Sequence, residues 1–359
     1  MRWTLTPTLQ TLRGAVFRNG PALDQLASRS WEIAPEEPSS APPAFFLPGQ
    51  FDRVTQLSPF SSTLAEERRV LLGQTAGRHG ATRALLFEDV LLADGVLYKS
   101  DARMFLHKRT RRIPTLQAAR EERQSAICCS FPGNKYFGNW LINDCPTYLL
   151  AKQYGMPIAS SSIVPSPQML AYESLLGMAP RRCDSIWFDK LVVFQDVGEN
   201  SDKRRRFKSL GESLLRGRSV QPHPGVFILR GRDGERRVLK NELQIAERLQ
   251  RDRGFRILAP MRCSVTEIID VCAGAQTVVG IEGSQLVHGL VLLPTGGSLL
   301  TLQPPNRYCS LFKNITDRDE QKFGIVVGRQ SGEDFEIDAD EVERTLDLMQ
   351  ADQASIVGR

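Results

Sequence analysis

Long apolar runs are missing from this chain of 359 residues. No segment offers about 18 consecutive apolar residues, the length a bilayer-spanning helix requires. The first twenty residues lack the apolar core of a secretory signal, because Arg2, Gln10, Arg13 and Arg18 interrupt them. Cysteine is present but not in useful patterns: seven residues, an odd number, with only Cys128 and Cys129 adjacent and no C-x-x-C pair. That argues against zinc or a disulfide framework and for reduced cytosolic thiols. Charge of one sign is not in large excess either, since 46 Lys and Arg against 41 Asp and Glu leave +5. The whole surface is therefore no nucleic-acid magnet, although a local basic patch or an anionic small ligand fits. The G-x-G-x-x-G and G-x-x-x-x-G-K-[ST] fingerprints are absent too, which disfavours standard dinucleotide and P-loop sites.

What is present is the composition of a globular protein, 41% hydrophobic and 24% charged, with length for two domains of ordinary size. Residues 1–60 read as a weakly organised leading segment, because Pro35, Pro38, Pro42, Pro43 and Pro48 punctuate a stretch rich in Ala, Ser and Glu. Residues 61–218 read as an N-terminal α/β domain. Within it, apolar runs at 84–87 and 96–98 flank Asp94-Gly95, a tight-hairpin pair. Residues 125–131 read as a strand followed by a turn at Pro132-Gly133-Asn134. Residues 138–153 read as a helix bent at Pro146, which lacks an amide hydrogen. Strand-like runs at 163–164 and 186–194 alternate with a helical stretch at 168–176.

The pattern sharpens after Pro224. Apolar runs at 226–229, 257–258, 277–279, 299–302 and 323–327 alternate with amphipathic stretches. One of these opens on the capping-box sequence Ser264-Val265-Thr266-Glu267. Such alternation predicts a parallel sheet covered on both faces, so residues 219–335 read as a doubly wound, Rossmann-like domain, with 336–359 a helix and tail.

Ligands of doubly wound sheets sit beyond the carboxyl ends of strands. Two such junctions stand out. Gly280-Ile281-Glu282-Gly283-Ser284-Gln285 follows the third strand; its glycines permit a close backbone approach, the helix start offers amide donors, Ser284 a hydroxyl, and His288 lies one turn along. A plain capped helix start explains it equally well. Leu229-Arg230-Gly231-Arg232 ends the first strand of the domain, and five cations occur between Arg230 and Lys240, Arg237 among them. Arginines there suit phosphate oxygens, against the blander alternative of a solvated basic loop. A third constellation is the otherwise apolar helix carrying Asn139, Trp140, Asn143 and Asp144. Polar groups on a buried helix are costly unless paired or facing a cleft, and Asp144 becomes a general base if a cleft raises its pKa. The runs Lys203 to Arg206 and Lys108 to Arg112 read as solvated faces that can also hold the protein near anionic lipid or a polyanion.

Together, the three segments resemble glycosyltransferase family 61. Its H-W-L-x-D-x-L-P helix is matched by Asn139-Trp140-Leu141-Ile142-Asn143-Asp144-Cys145-Pro146, and its strand and R-x(n)-R loop by Ile228-Leu229-Arg230-Gly231 through Arg236-Arg237 to Asn241-Glu242. Its V-G-x-H-G-A-x-L segment is matched by Val279-Gly280-Ile281-Glu282-Gly283-Ser284-Gln285-Leu286, with His288 and Leu292-Leu293-Pro294 following. Asn139 and Glu282 stand where the family usually has histidine, and Asn143 where it has aspartate. The resemblance, closest to the bacterial polysaccharide type, implies two Rossmann-like domains facing across a cleft in a GT-B-type architecture. It implies an inverting, metal-independent transfer from a nucleotide-diphosphate sugar, UDP-linked, to a saccharide acceptor in polysaccharide or capsule biosynthesis. The only D-x-D patterns, Asp317-Arg318-Asp319 and Asp338-Ala339-Asp340, lie away from the expected site.

In this reading Arg230, Arg237, Gly283, Ser284 and His288 bind the donor, Asn139, Trp140 and Asn143 line the acceptor cleft, and Asp144 or Glu282 is the base. No metal or other cofactor is expected, and no nucleic-acid partner. The expected location is cytoplasmic, with peripheral attachment to the inner membrane face or an assembly partner left open. The competing readings are an inactive relative that binds nucleotide or glycan, suggested by Asn139 and Asn143, and a Rossmann-type oxidoreductase or sugar-nucleotide-modifying enzyme.

Overall fold

The computed structural model describes residues 2–4, 9, 21–39, 41–75, 77–109, 116–231 and 236–357. Arg232 and the part of the cationic run at 110–112 lie outside them. The fold is mixed α/β, and the chain divides into two compact units: Met1–Glu37 with Gly80–Leu210, and Pro38–His79 with Gly211–Arg359.

In the first unit, Thr82–Ala93 (β1), Val96–Lys99 (β2) and Ala102–Phe105 (β3) form an antiparallel meander. Asp94 and Gly95 both take positive φ, 49° and 71°, so the turn has the primed geometry whose twist matches its strands. Ser125–Ile127 (β4), Met156–Ser160 (β5), Arg181–Cys183 (β6) and Ile186–Gln195 (β7) run parallel in the order β6-β5-β4-β7. β7 then pairs antiparallel with β1 along most of its length. The sheet is therefore mixed, with a Rossmann-like parallel block joined through the β7–β1 pair to a hairpin region that the two-residue turn at 94–95 makes antiparallel. A turn that short can only join antiparallel strands.

Two local expectations need correction. The strand expected over 125–131 stops at Ile127, and Ser130 caps a short helix, Phe131–Lys135, by accepting from the Gly133 amide. Pro132 lies in the first turn of that helix, where no amide hydrogen is required, so the expected turn is helical. Residues 163–164 form no strand; the pairing falls on Met156–Ser160 instead.

In the second unit, Val226–Ile228 (β8), Arg256–Leu258 (β9), Thr277–Ile281 (β10), Ser298–Gln303 (β11) and Lys322–Val327 (β12) form a wholly parallel sheet in the order β9-β8-β10-β11-β12. All residues of β8, β10 and β11 are buried, as a sheet covered on both faces requires. Phe227, Val279, Leu300 and Val326 pack on one side with Ile245, Ala246 and Leu249 of helix Glu242–Arg253 and with Val342 and Leu346 of helix Ala339–Val357. Val265–Cys272 carries the expected capping box with both reciprocal hydrogen bonds. Among the described residues, no helix is long and apolar enough to cross a membrane.

The leading segment is more ordered than its prolines suggest, and residues 38–79 belong to the second unit. Phe45 pairs with the edge strand β12, its amide donating to Phe323 and its carbonyl accepting from Ile325. Arg53 forks onto both oxygens of Glu341. This order comes from a sheet edge and an acidic helix supplied by distant sequence, so no local periodicity announces it.

Candidate functional site

Each parallel block has one place where the winding reverses. In the first unit it lies between β4 and β7, and in the second between β8 and β10. The crevice beyond the carboxyl ends of such a strand pair is where open α/β sheets hold ligands. The Arg230 and Gly280 segments lie at the second of these places, and the helix carrying Asn139 to Asp144 follows the short helix after β4 at the first.

In the second unit, Arg230 follows β8 by two residues and Glu282 follows β10 by one. Glu242, in the first turn of its helix, reaches back so that the Arg230 and Gly231 amides donate to its two carboxylate oxygens at 2.7 and 3.0 Å. That contact fixes the turn after β8 and aims the Arg230 side chain across the sheet end, where Nη1 donates to Gln285 Oε1 at 3.0 Å. Arg237 enters from the following loop and donates to both the carboxylate and the backbone carbonyl of Glu282, the latter at 2.6 Å. Arg307 approaches the same carboxylate at 3.4 Å. Two guanidinium groups, of Arg237 and Arg307, thus hold one carboxylate, and the Arg230 charge lies near enough to feel all three, a local excess of positive charge. Burial pushes the Arg230 guanidinium down to about 10, and the adjacent Arg237 and Arg307 charges push the same way. Like charges so held favour an anion that neutralises them.

The glycines do something other than expected. A Cβ on Gly283 would fall inside the Arg230 guanidinium, and one on Gly280, within β10, would meet the Ile228 carbonyl at 2.5 Å and Leu286 at 2.9 Å. Both spaces are filled by the protein itself rather than kept open for a ligand. We expect Gly280→Ala to cost about 1–3 kcal/mol by overpacking against backbone, and Gly283→Ala about 1–3 kcal/mol because its φ of 156° is one that L side chains rarely adopt. Denaturant titration of both variants checks this, and an unchanged midpoint in either would refute it.

Ser284 opens only a single turn of 3-10 helix, Ser284–Leu286, followed by Val287–Leu290. His288 is buried, and burial pushes its imidazole down to about 3. It is neutral at any ordinary pH and adds no positive charge to the arginine cluster. The two D-x-D patterns are engaged elsewhere: Asp317 with Lys313, Asp319 with Arg318, and Asp340 with Arg248.

In the first unit, the expected kink at Pro146 is instead a π-turn just before it. The Cys145 amide donates to the Trp140 carbonyl, and Cys145–Tyr154 continues as α-helix. Proline removes one amide donor and crowds the carbonyl four residues back, and the wider turn relieves both. It also sends neighbouring residues to different partners. Asp144 is buried and accepts from the Ser130 amide at 3.1 Å and the Ser130 hydroxyl at 2.7 Å. Asn143 accepts from Lys203 Nζ at 2.8 Å and donates to Asn139 Oδ1 at 3.2 Å, so the two asparagines, four residues apart, bond to each other. Trp140 is buried against Phe137 and Tyr172 and also lines the small cavity beside Asp144.

Burial pushes the Asp144 carboxyl up to about 7, against the opposing pull of the Ser130 hydrogen bonds and the Lys203 charge. Asp144 lines a small cavity of about 30 Å³ with Asn134, Ser160, Glu173 and Arg182, room for about one water.

Sequence reasoning missed Lys203 and Arg206, read as part of a solvated run. Both are buried. Lys203 Nζ donates to Asn143 Oδ1, to Glu199 Oε1 at 2.9 Å and to the Asp196 carbonyl at 3.2 Å. Arg206 forks onto Asp196 with both contacts at 2.8 Å, and Thr82 and Thr147 hydroxyls also donate to that carboxylate. Their spacing with Phe207 and Leu210 (i, i+3, i+4, i+7) is the signal that placed them on the buried face. Arg307 carried no such signal beyond following the strand next to β10.

The model of the family described as Glycosyltransferase 61 matches residues 137–299. The match takes in the π-turn, the Arg230 and Arg237 junction and the Glu282 to His288 segment, and leaves Ser130 and Arg307 outside. No curated protein matches the chain significantly.

Proposed function

From a chain that carries a glycosyltransferase family 61 domain over residues 137–299, we propose an inverting, metal-independent transfer of sugar from a nucleotide-diphosphate donor, UDP-linked, to a saccharide acceptor in polysaccharide biosynthesis. The observation that carries this reading is the convergence of Arg230, Arg237 and Arg307 at the carboxyl end of β10. In the displacement, the acceptor oxygen forms a bond to the anomeric carbon while the bond to the β-phosphate oxygen breaks. The electron pair leaves with the nucleoside diphosphate. Preorganised guanidinium groups stabilise that growing charge without a metal ion, because they need no reorganisation as it develops.

The proton of the acceptor hydroxyl requires a base. Glu282 is already tied to Arg237 and Arg307, whereas the Asp144 carboxyl at about 7 is suited to gain and lose a proton near neutrality. We therefore assign Asp144 as base and Glu282 as the residue that holds Arg237 and Arg307 in place. The small cavity beside Asp144 has room for about one water, which can relay the proton to its carboxylate.

Calorimetric titration with UDP tests the assignment. Arg230→Ala should weaken binding by about 1.5–3 kcal/mol, the worth of a hydrogen bond to a charged group. Arg307→Ala should act in the same direction. Unchanged affinity in both variants removes the arginine cluster from the donor site. UDP binding without any release of sugar from a panel of UDP-sugars favours the inactive, binding-only relative.

A further inference from the structure

The positive excess of this chain is concentrated, not spread. Residues 99–112 hold six basic side chains (Lys99, Arg103, Lys108, Arg109, Arg111 and Arg112) against one acidic, Asp101. That balance equals the formal charge of the whole protein, +5, so all other residues cancel. Of the six, Lys99, Arg103, Lys108 and Arg109 are described by the structure.

They gather around the last strand of the first unit's sheet. β3 pairs with β2 on one side, and Phe105 at its end is 39% exposed with the Arg103 guanidinium 5.3 Å above its ring. One residue on, the Leu106 carbonyl accepts from Asn134 Nδ2 at 2.8 Å, which ties this edge to the helix Phe131–Lys135. That helix brings Phe131, also 39% exposed, and an exposed Lys135 whose ammonium lies 4.8 Å over the Tyr136 ring. The Asn134–Leu106 hydrogen bond brings together two segments, each carrying one exposed phenylalanine and neighbouring cations.

A merely solvated charge run has no use for exposed phenylalanines, since each keeps apolar area in water. A sugar-stacking platform needs open ring faces, and here Arg103 lies over Phe105 and Lys135 over Tyr136. Aromatic rings beside Lys and Arg are instead the composition of a membrane-water interface, with cations on lipid phosphates and rings at headgroup depth.

We propose that this surface docks the protein on an anionic phospholipid bilayer through Arg103, Lys108, Arg109 and Lys135, with Phe105 and Phe131 seated among the headgroups. The proposal concerns the first unit's surface alone and stands independently of the donor site.

Flotation of the full chain with vesicles tests it. Phosphatidylcholine vesicles containing phosphatidylglycerol should carry the protein, and pure phosphatidylcholine vesicles should not. Raising the salt should release it, because the attraction is screened over a Debye length. Each basic residue at such a surface is worth roughly fivefold in partitioning, so Arg103→Glu with Lys108→Glu should lower binding more than roughly tenfold. Phe105→Ser with Phe131→Ser should weaken binding while leaving its salt dependence. Unaltered melting and UDP affinity in these variants keep folding and the donor site separate from the result. Equal partitioning to both vesicle types, or none to either, overturns the proposal. So does capture by a soluble acidic polysaccharide without binding to vesicles.

Discussion

Turnover is expected to rise through about pH 7, whereas the stability of the first unit falls as pH climbs from about 4 to about 7, both because of Asp144. Burial holds its carboxyl at about 7 in the folded chain, against an ordinary value of 3.8. Between those values the unfolded chain has lost this proton and the folded chain keeps it. Stability therefore falls as pH rises, being fully present below about 4 and lost by the time pH passes about 7. Three units correspond to at most about 4 kcal/mol. Catalysis runs the other way, since only the ionised carboxylate accepts the acceptor's proton. Asp144→Asn should remove both effects: turnover drops by roughly a hundredfold or more, the contribution of a general base, and the stability slope across this range flattens. Sugar-release assays and urea titrations at matched pH values read the two together. Retained turnover in Asp144→Asn would move the base elsewhere, and an unchanged stability slope would show that Asp144 is already ionised in the folded protein.

Arg206→Ala should cost about 3–5 kcal/mol, the usual price of leaving one member of a buried ion pair alone. Both partners are 5% exposed, and without Arg206 the Asp196 carboxylate keeps, among the described residues, the Thr82 and Thr147 hydroxyls. Arg205→Ala, one residue away with a side chain 78% exposed, should change stability by less than about 0.5 kcal/mol. The comparison is sharp because both belong to the same run of four cations. Denaturant midpoints measured at constant m would refute the argument if the two variants shifted alike. The Arg206 variant should also loosen the surroundings of Lys203 and Asn143, since Lys203 donates to the carbonyl of that same Asp196.

These contrasts mark how far local pattern reaches. The capping box at Ser264, the hairpin at Asp94-Gly95 and the parallel strands after Pro224 follow from interactions within a few residues or from periodicity along one element, and all were legible. Arg230 and Glu282 were legible for a related reason, as each follows a buried strand by one or two residues. The polarity of Asn139 and Asn143 on an apolar helix likewise signalled partners, and they bond to each other.

The sequence by itself determined where strands end, which helices are capped and which polar residues stand at strand ends, because those depend on neighbours in the chain. Only the tertiary structure decided what those residues meet. It paired Glu282 with Arg237 and Arg307, buried His288, filled the spaces at Gly280 and Gly283 with protein atoms, and turned two cations of a charged run inward onto Asp196. It also drew residues 38–79 onto the second unit. The physical reason is common to all of these. Desolvation and ion pairing act between groups brought together from distant parts of the chain, and spacing along a sequence carries no record of such distances.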